Sequence, residues 1–122
     1  MCSSDLMRRM DASGGWIGST IDLMRFLIHI DQLAYTPSML QPNNIEVTTT
    51  SSGIRVQYAK GWFVAKGNWA HGGILPGSTS VVARTHTGHY WAALANSNQR
   101  GGNIELHKLA LQMLRSVKSW SA

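Results

Sequence analysis

The chain has 122 residues, the length of one domain, and a domain of that size needs neither disulfides nor a metal to fold. Hydrophobic residues make up 43% and charged residues 14%, the latter below the roughly 25% of an average domain, which excludes a disordered chain. So few charges also imply an apolar face that a partner covers. The net charge of +5 comes from basic residues scattered along the chain, of which only Arg8 and Arg9 are adjacent. With no aromatic RNA-binding signature and no Cys/His finger spacing, no nucleic-acid partner is expected. The single cysteine, Cys2, rules out an intrachain disulfide. The five histidines form no H-E-x-x-H motif, so neither a metal nor a cofactor is expected. No apolar run approaches the roughly 18–20 residues of a membrane span, and Met1 to Asp11 has no apolar core of a signal peptide. The chain is expected in the cytoplasm if expressed as it stands, without a membrane partner.

Residues 1–12 form a polar, Met-rich segment, and residues 13–122 are expected to form one α+β domain. Ser13-Gly14-Gly15 is a loop signal. Ser19 and Asp22 form a capping-box pair that predicts a helix start. Ile21, Met24, Leu27 and Ile28 follow helical spacing, and Leu23, Phe26 and Ile30 widen the stripe, so the helix is expected to be buried on more than one side. It should end between Asp31 and Ala34, ahead of Thr36-Pro37. Residues 36–53 read as a long loop through Pro37, Pro42-Asn43-Asn44 and the Thr48–Ser52 run.

From Ile54 the pattern turns to β. Ile54, Val56 and Tyr58 alternate, and Trp62-Phe63-Val64 continues beyond Gly61. Asn68 to His71 is a short strand running into Gly72-Gly73, and Pro76-Gly77 is a turn. Ser80 to Arg84 and His89 to Ala95 are two more strands, linked by Thr87-Gly88. Together these predict an antiparallel meander of about four strands. Asn103 is positioned to cap a last helix, with an apolar stripe of Leu106, Leu109, Ala110, Met113, Val117 and Trp120. The expected architecture is α+β, with an N-terminal and a C-terminal helix flanking the meander.

The chemistry-bearing stretch is His71-Gly72-Gly73 at a strand end, with Tyr58, Gly61 and Trp62 before it and Pro76-Gly77-Ser78-Thr79-Ser80 and Asn96 after it. A strand edge offers backbone N–H and C=O groups to an extended ligand, and glycines allow close approach. A polar side chain beside such an edge can bind a carboxylate or move a proton. Gly14-Gly15-Trp16-Ile17-Gly18-Ser19-Thr20-Ile21-Asp22 adds a Gly-Gly-to-Asp helix opening, one residue longer than the common form.

These pieces, in this order, resemble the C-terminal part of the serine β-lactamase and DD-peptidase superfamily, in particular the class C β-lactamase-like group with its esterases and D-amino peptidases. The resemblance covers about residues 13–118 and implies a partial β-lactamase/transpeptidase-like fold. It gives His71 the place of the basic residue in the third box, with Gly72, Gly73 and Ile74 as substrate-binding backbone and an oxyanion-hole N–H near Ile74 and Leu75.

Two family boxes find no match. The residues three before Lys60, Lys66, Lys108 and Lys118 are Gln57, Phe63, Glu105 and Arg115, so no Ser-x-x-Lys nucleophile box is present. Tyr35, Tyr58 and Tyr90 are followed two residues on by Pro37, Lys60 and Ala92, so the Tyr-x-Asn box is missing too. No complete catalytic set is expected, only His71 as the third-box residue. No G-x-S-x-G elbow points to another triad. The expected function is that of a catalytically incomplete C-terminal fragment of such a hydrolase. A non-catalytic module that binds a small acid, a peptide or a peptidoglycan fragment is the other reading. In either case a homodimer or a complementing chain is expected to cover exposed apolar surface. His86 and His89, flanking a hairpin turn, read as solvent-facing, and Trp16, Trp62, Trp69, Trp91 and Trp120 as core or interdomain surface.

Overall fold

The computed structural model describes residues 17–31, 37–51, 53–97 and 101–119. The loop signal at Ser13-Gly14-Gly15 and the residues Cys2, Trp16, Tyr35 and Trp120 lie outside the described residues. Three helices and four strands follow in chain order: α1 (Thr20–Ile30), α2 (Pro42–Thr49), β1 (Phe63–Ala65), β2 (Asn68–Leu75), β3 (Ser78–Arg84), β4 (Tyr90–Ala95) and α3 (Gly102–Ser116). The strands form one antiparallel sheet in the order β1-β2-β3-β4, an α+β meander as expected.

The links between strands are set by local backbone chemistry. Lys66 (φ 50°) and Gly67 (φ 76°) make a two-residue turn with both central residues left-handed, the form that suits the twist of paired strands. Pro76 and Gly77 (φ 83°) make the next, with proline presetting one angle and glycine supplying the other.

The register puts Trp69, Arg84 and Tyr90 on one face of the sheet, with His71, Val82 and Ala92 behind them. Helix α1 covers that face. Its start is the expected capping box: Ser19 N–H and Oγ–H donate to Asp22 Oδ2 at 2.9 and 2.7 Å, and Asp22 N–H donates to Ser19 Oγ at 3.2 Å. These bonds, the backbone one foremost, hold the Asp22 carboxyl below its usual range. Leu27 and Ile30 pack against Trp62 and Trp69 to form the core, whose two indoles meet edge to face at 5.4 Å. The other side of α1 is not covered among the described residues: Ile21 and Phe26 are exposed, contrary to the expectation of burial on more than one side.

At the end of α1 the buried carboxylate of Asp31 accepts a hydrogen bond from Arg84 Nε at 2.7 Å and another from the Tyr90 hydroxyl. Arg84 also lies over the Trp69 ring, 5.1 Å from its centroid. One carboxylate thus joins the helix to two strands.

Helix α3 lies on the opposite face, over Ala70, Ala83 and Trp91, then Gly72, Val81 and Ala93. Its N-cap is Gly101 (φ 92°), not Asn103. Asn103 instead packs its side chain against Gly72. The sheet-facing stripe of α3 runs through His107, whose ring meets that of Trp91 at 5.3 Å, while Leu109, Met113 and Val117 of the expected stripe are exposed.

Two further expectations fail. Residues 42–49 are helix rather than loop, because Pro42 fits the first helical turn, where a missing N–H costs nothing. Ile54 and Val56 form no strand and are 90% and 85% exposed, since no strand pairs with them among the described residues. Only Tyr58 makes a bridge, to Phe63. No described helix is long and apolar enough to cross a membrane.

Burial, then the hydrogen bond and negative charge of Asp31, push the Tyr90 hydroxyl up to about 12. In the unfolded chain the phenol ionises near its ordinary 10, so the folded state resists that ionisation. The stabilisation is complete below about pH 10 and disappears as the pH rises to about 12. Tyr90→Phe should cost about 1–2 kcal/mol at neutral pH. Denaturant titrations should show wild type losing stability faster than this variant between those pH values; parallel curves would remove the Asp31–Tyr90 bond from the account.

Candidate functional site

Strand β1 pairs only with the first part of β2, its last partner being Ala70 opposite Phe63. From His71 to Leu75, β2 runs on with β3 on one side and no described strand on the other. The tight Pro76-Gly77 turn closes on the Leu75–Ser78 pair. In an antiparallel ladder, bonded and non-bonded pairs alternate from there. The pairs Gly73–Ser80 and His71–Val82 therefore bond inward to β3. The backbone groups of Gly72 and Ile74 point to the open edge. Two amide N–H groups and two carbonyls spaced along an extended strand are what an incoming extended chain needs for pairing.

His71 stands exposed at the start of this edge. Its Nδ1–H donates to the Gly61 carbonyl at 2.7 Å. A carbonyl can only accept, so the proton is on Nδ1 and the neutral ring keeps Nε2 as a free lone pair. Gly61 takes φ 92°, a conformation costly to any residue with a Cβ, as it delivers that carbonyl. The Tyr58–Trp62 segment is held in turn by Ala59 N–H bonded to the Trp62 carbonyl and Lys60 N–H to Thr48 of α2. Helix α2, absent from the sequence reading, thus steadies the segment that orients His71.

The two glycines have different neighbours. A Cβ on Gly72 would lie 2.2 Å from Asn103 Nδ2 and 3.0 Å from its Cγ, so this glycine makes room for the start of α3. A Cβ on Gly73 would lie 2.8 Å from Ser80 Oγ, on the same face as His71. Gly73, Ile74, Ser80 and Asn96 line one shallow depression of about 360 Å³ at the end of the sheet. The motif pieces after His71, distant in sequence, are therefore neighbours in space, although His71 itself is not in that lining. Thr79 is nearly buried there, and its Oγ1 finds no hydrogen-bond partner among the described residues. Nothing in the sequence marked it. The described residues hold no group of three or more His, Cys, Asp or Glu able to hold a metal. His86 and His89 sit at the β3–β4 hairpin, far along the sheet from this edge; His86 is exposed and its backbone N–H and ring both meet Asn68 Oδ1.

The described residues thus form a four-strand meander between helices on both faces, with His-Gly-Gly on its half-open strand. The Beta-lactamase family model matches residues 2–113, and the chain belongs to that family. Searches of curated proteins and of solved structures found no match.

Gly72→Ala should destabilise the fold by about 1–3 kcal/mol through overpacking against Asn103. The double variant with Asn103→Ala should recover part of that loss in urea titrations. Additive losses would show that the glycine serves something other than helix packing.

Proposed function

We propose that this chain supplies the substrate-binding wall of a β-lactamase-like serine hydrolase and does not by itself turn over substrate. The edge at Gly72 and Ile74, with no outer strand among the described residues, is the observation that carries this reading. An acyl-peptide or a cyclic amide lies along that edge, bonded to the backbone of Gly72 and Ile74. The His71 Nε2 lone pair faces the reacting end, accepting a proton when neutral and attracting a carboxylate when protonated. The Ile74 N–H is the group that meets a developing oxyanion.

What these 122 residues do not offer is the attacking serine with its lysine one helical turn on. Without a nucleophile, oxyanion and binding terms leave only a remnant of the rate. That nucleophile is to be sought on a complementing chain, which also covers Ile21 and Phe26 of α1. A second copy of this chain would cover the apolar surface without supplying it.

The 122-residue protein should give no covalent adduct with a labelled penicillin or a fluorophosphonate, seen by mass spectrometry. It should still show amide shifts at Gly72 and Ile74 on titration with an N-acyl-D-Ala-D-Ala peptide. A serine adduct formed stoichiometrically and then hydrolysed overturns the inactivity; unmoved amides across peptides and β-lactams overturn the binding wall. Sedimentation at micromolar concentration should find an associated species rather than a compact monomer, and a monomer throughout would remove the self-covering dimer.

A further inference from the structure

A second cleft, larger than the depression at the His71 edge, lies at the other end of the sheet, under the C-terminal half of α3, with a volume of about 580 Å³, within the range of small-ligand sites. Its walls are carbon-rich: Phe63, Ala70, Ala83, Trp91, Leu111 and Leu114. Its charged lining is of one sign only. Arg84 and Arg115 contribute to it, and no Asp or Glu does. Arg84 is already neutralised by Asp31. Arg115, exposed in the last turn of α3, has no ion pair with a described acid, which leaves it as the fixed charge at the mouth.

His107, Leu111 and Arg115 follow one another at four-residue steps and so lie along one side of α3. From His107 to Arg115 the helix rises about 12 Å. Trp91 Nε1 and His107 Nδ1 are both enclosed in the contact between helix and sheet, so at the inner end these two rings contribute mainly carbon surface. Burial also lowers the pKa of His107, which favours its neutral form. The cleft is therefore cationic at its mouth and apolar at its inner end.

We propose that this cleft binds a medium-chain monocarboxylate, its carboxylate at Arg115 and its hydrocarbon body along Leu111 and Leu114 toward His107 and Trp91. The site is separate from the His71 edge and does not depend on the hydrolase reading. A dicarboxylate does not suit it, because the inner end offers no second cation. A neutral chain forfeits the contact with Arg115.

The test is calorimetry and amide-resolved NMR on the 122-residue protein with octanoate and, in parallel, octanamide. Octanoate should bind saturably and shift His107, Leu111 and Trp91 while leaving Gly72 and Ile74 unmoved. Octanamide should bind at least tenfold more weakly, and Arg115→Gln, an exposed change that leaves the packing intact, should weaken octanoate at least tenfold. Equal affinity for acid and amide, or an unchanged affinity in Arg115→Gln, overturns the charge-directed site. Shifts confined to Gly72 and Ile74 overturn its location. Nuclear Overhauser contacts from the chain's own termini to His107 and Leu111 that octanoate does not displace would show the cleft filled by the chain itself, and would overturn the proposal as well.

Discussion

Strand β2 is eight residues long and its outer neighbour β1 is three. That inequality governs the site. An edge strand with free N–H and C=O groups invites pairing with other chains, and proteins ordinarily shorten, charge or cover such edges. Here His71–Ile74 has no outer strand among the described residues, with glycine at two of its four positions. Glycine weakens a strand, since it adds backbone entropy and removes side-chain packing. The edge therefore has to be held from its faces rather than by its own residues.

The two faces hold it differently. On the α1 side the Asp31 carboxylate gathers Arg84 and Tyr90, and Trp69 packs beneath that cluster, so the beginning of β2 is anchored by charge and aromatic area. On the α3 side there is no ion pair to the strand. Contact is made through the absence of a side chain at Gly72, into which Asn103 fits. The first arrangement fixes one end of the strand and the second lets the helix start approach the backbone beside the open edge. The two glycines serve different faces: Gly73 shares its face with His71, and Gly72 faces the start of α3.

Much of the meander was legible because its signals are local. Pro76 fixes its own φ, Gly77 and Gly88 allow the positive φ their turns take, and the capping box of Ser19 and Asp22 is a bond between residues three apart. What failed depended on context. Pro42 carries the same φ in a loop and in a first helical turn, so only the packing of Ile45 and Leu40 on the core decides between them. Ile54 and Val56 alternate like a strand, but alternation makes a strand only where a neighbour takes its hydrogen bonds. The expected stripe of α3 holds at Leu106 and Ala110, which are half-buried, and fails at Leu109 and Met113, which are as apolar as Leu111 and Leu114 but exposed. The sequence put His71 at a strand end, whereas β2 runs on past it through Gly72 and Gly73 to Leu75. The tautomer of His71 was not legible, because the bond to the Gly61 carbonyl joins residues ten apart and a motif names residues without giving their contacts.

That tautomer decides what the site can do. With Nδ1–H committed to Gly61, the ring cannot swivel without leaving a carbonyl unpaired, and Nε2 presents either a lone pair or an N–H to one direction only. A histidine so fixed can receive a proton from a hydroxyl beside it, or hold a carboxylate. On the proposed reading, that hydrogen-bond geometry makes His71 an accessory to a nucleophile, competent when a serine is brought to the open edge and limited to binding when none is.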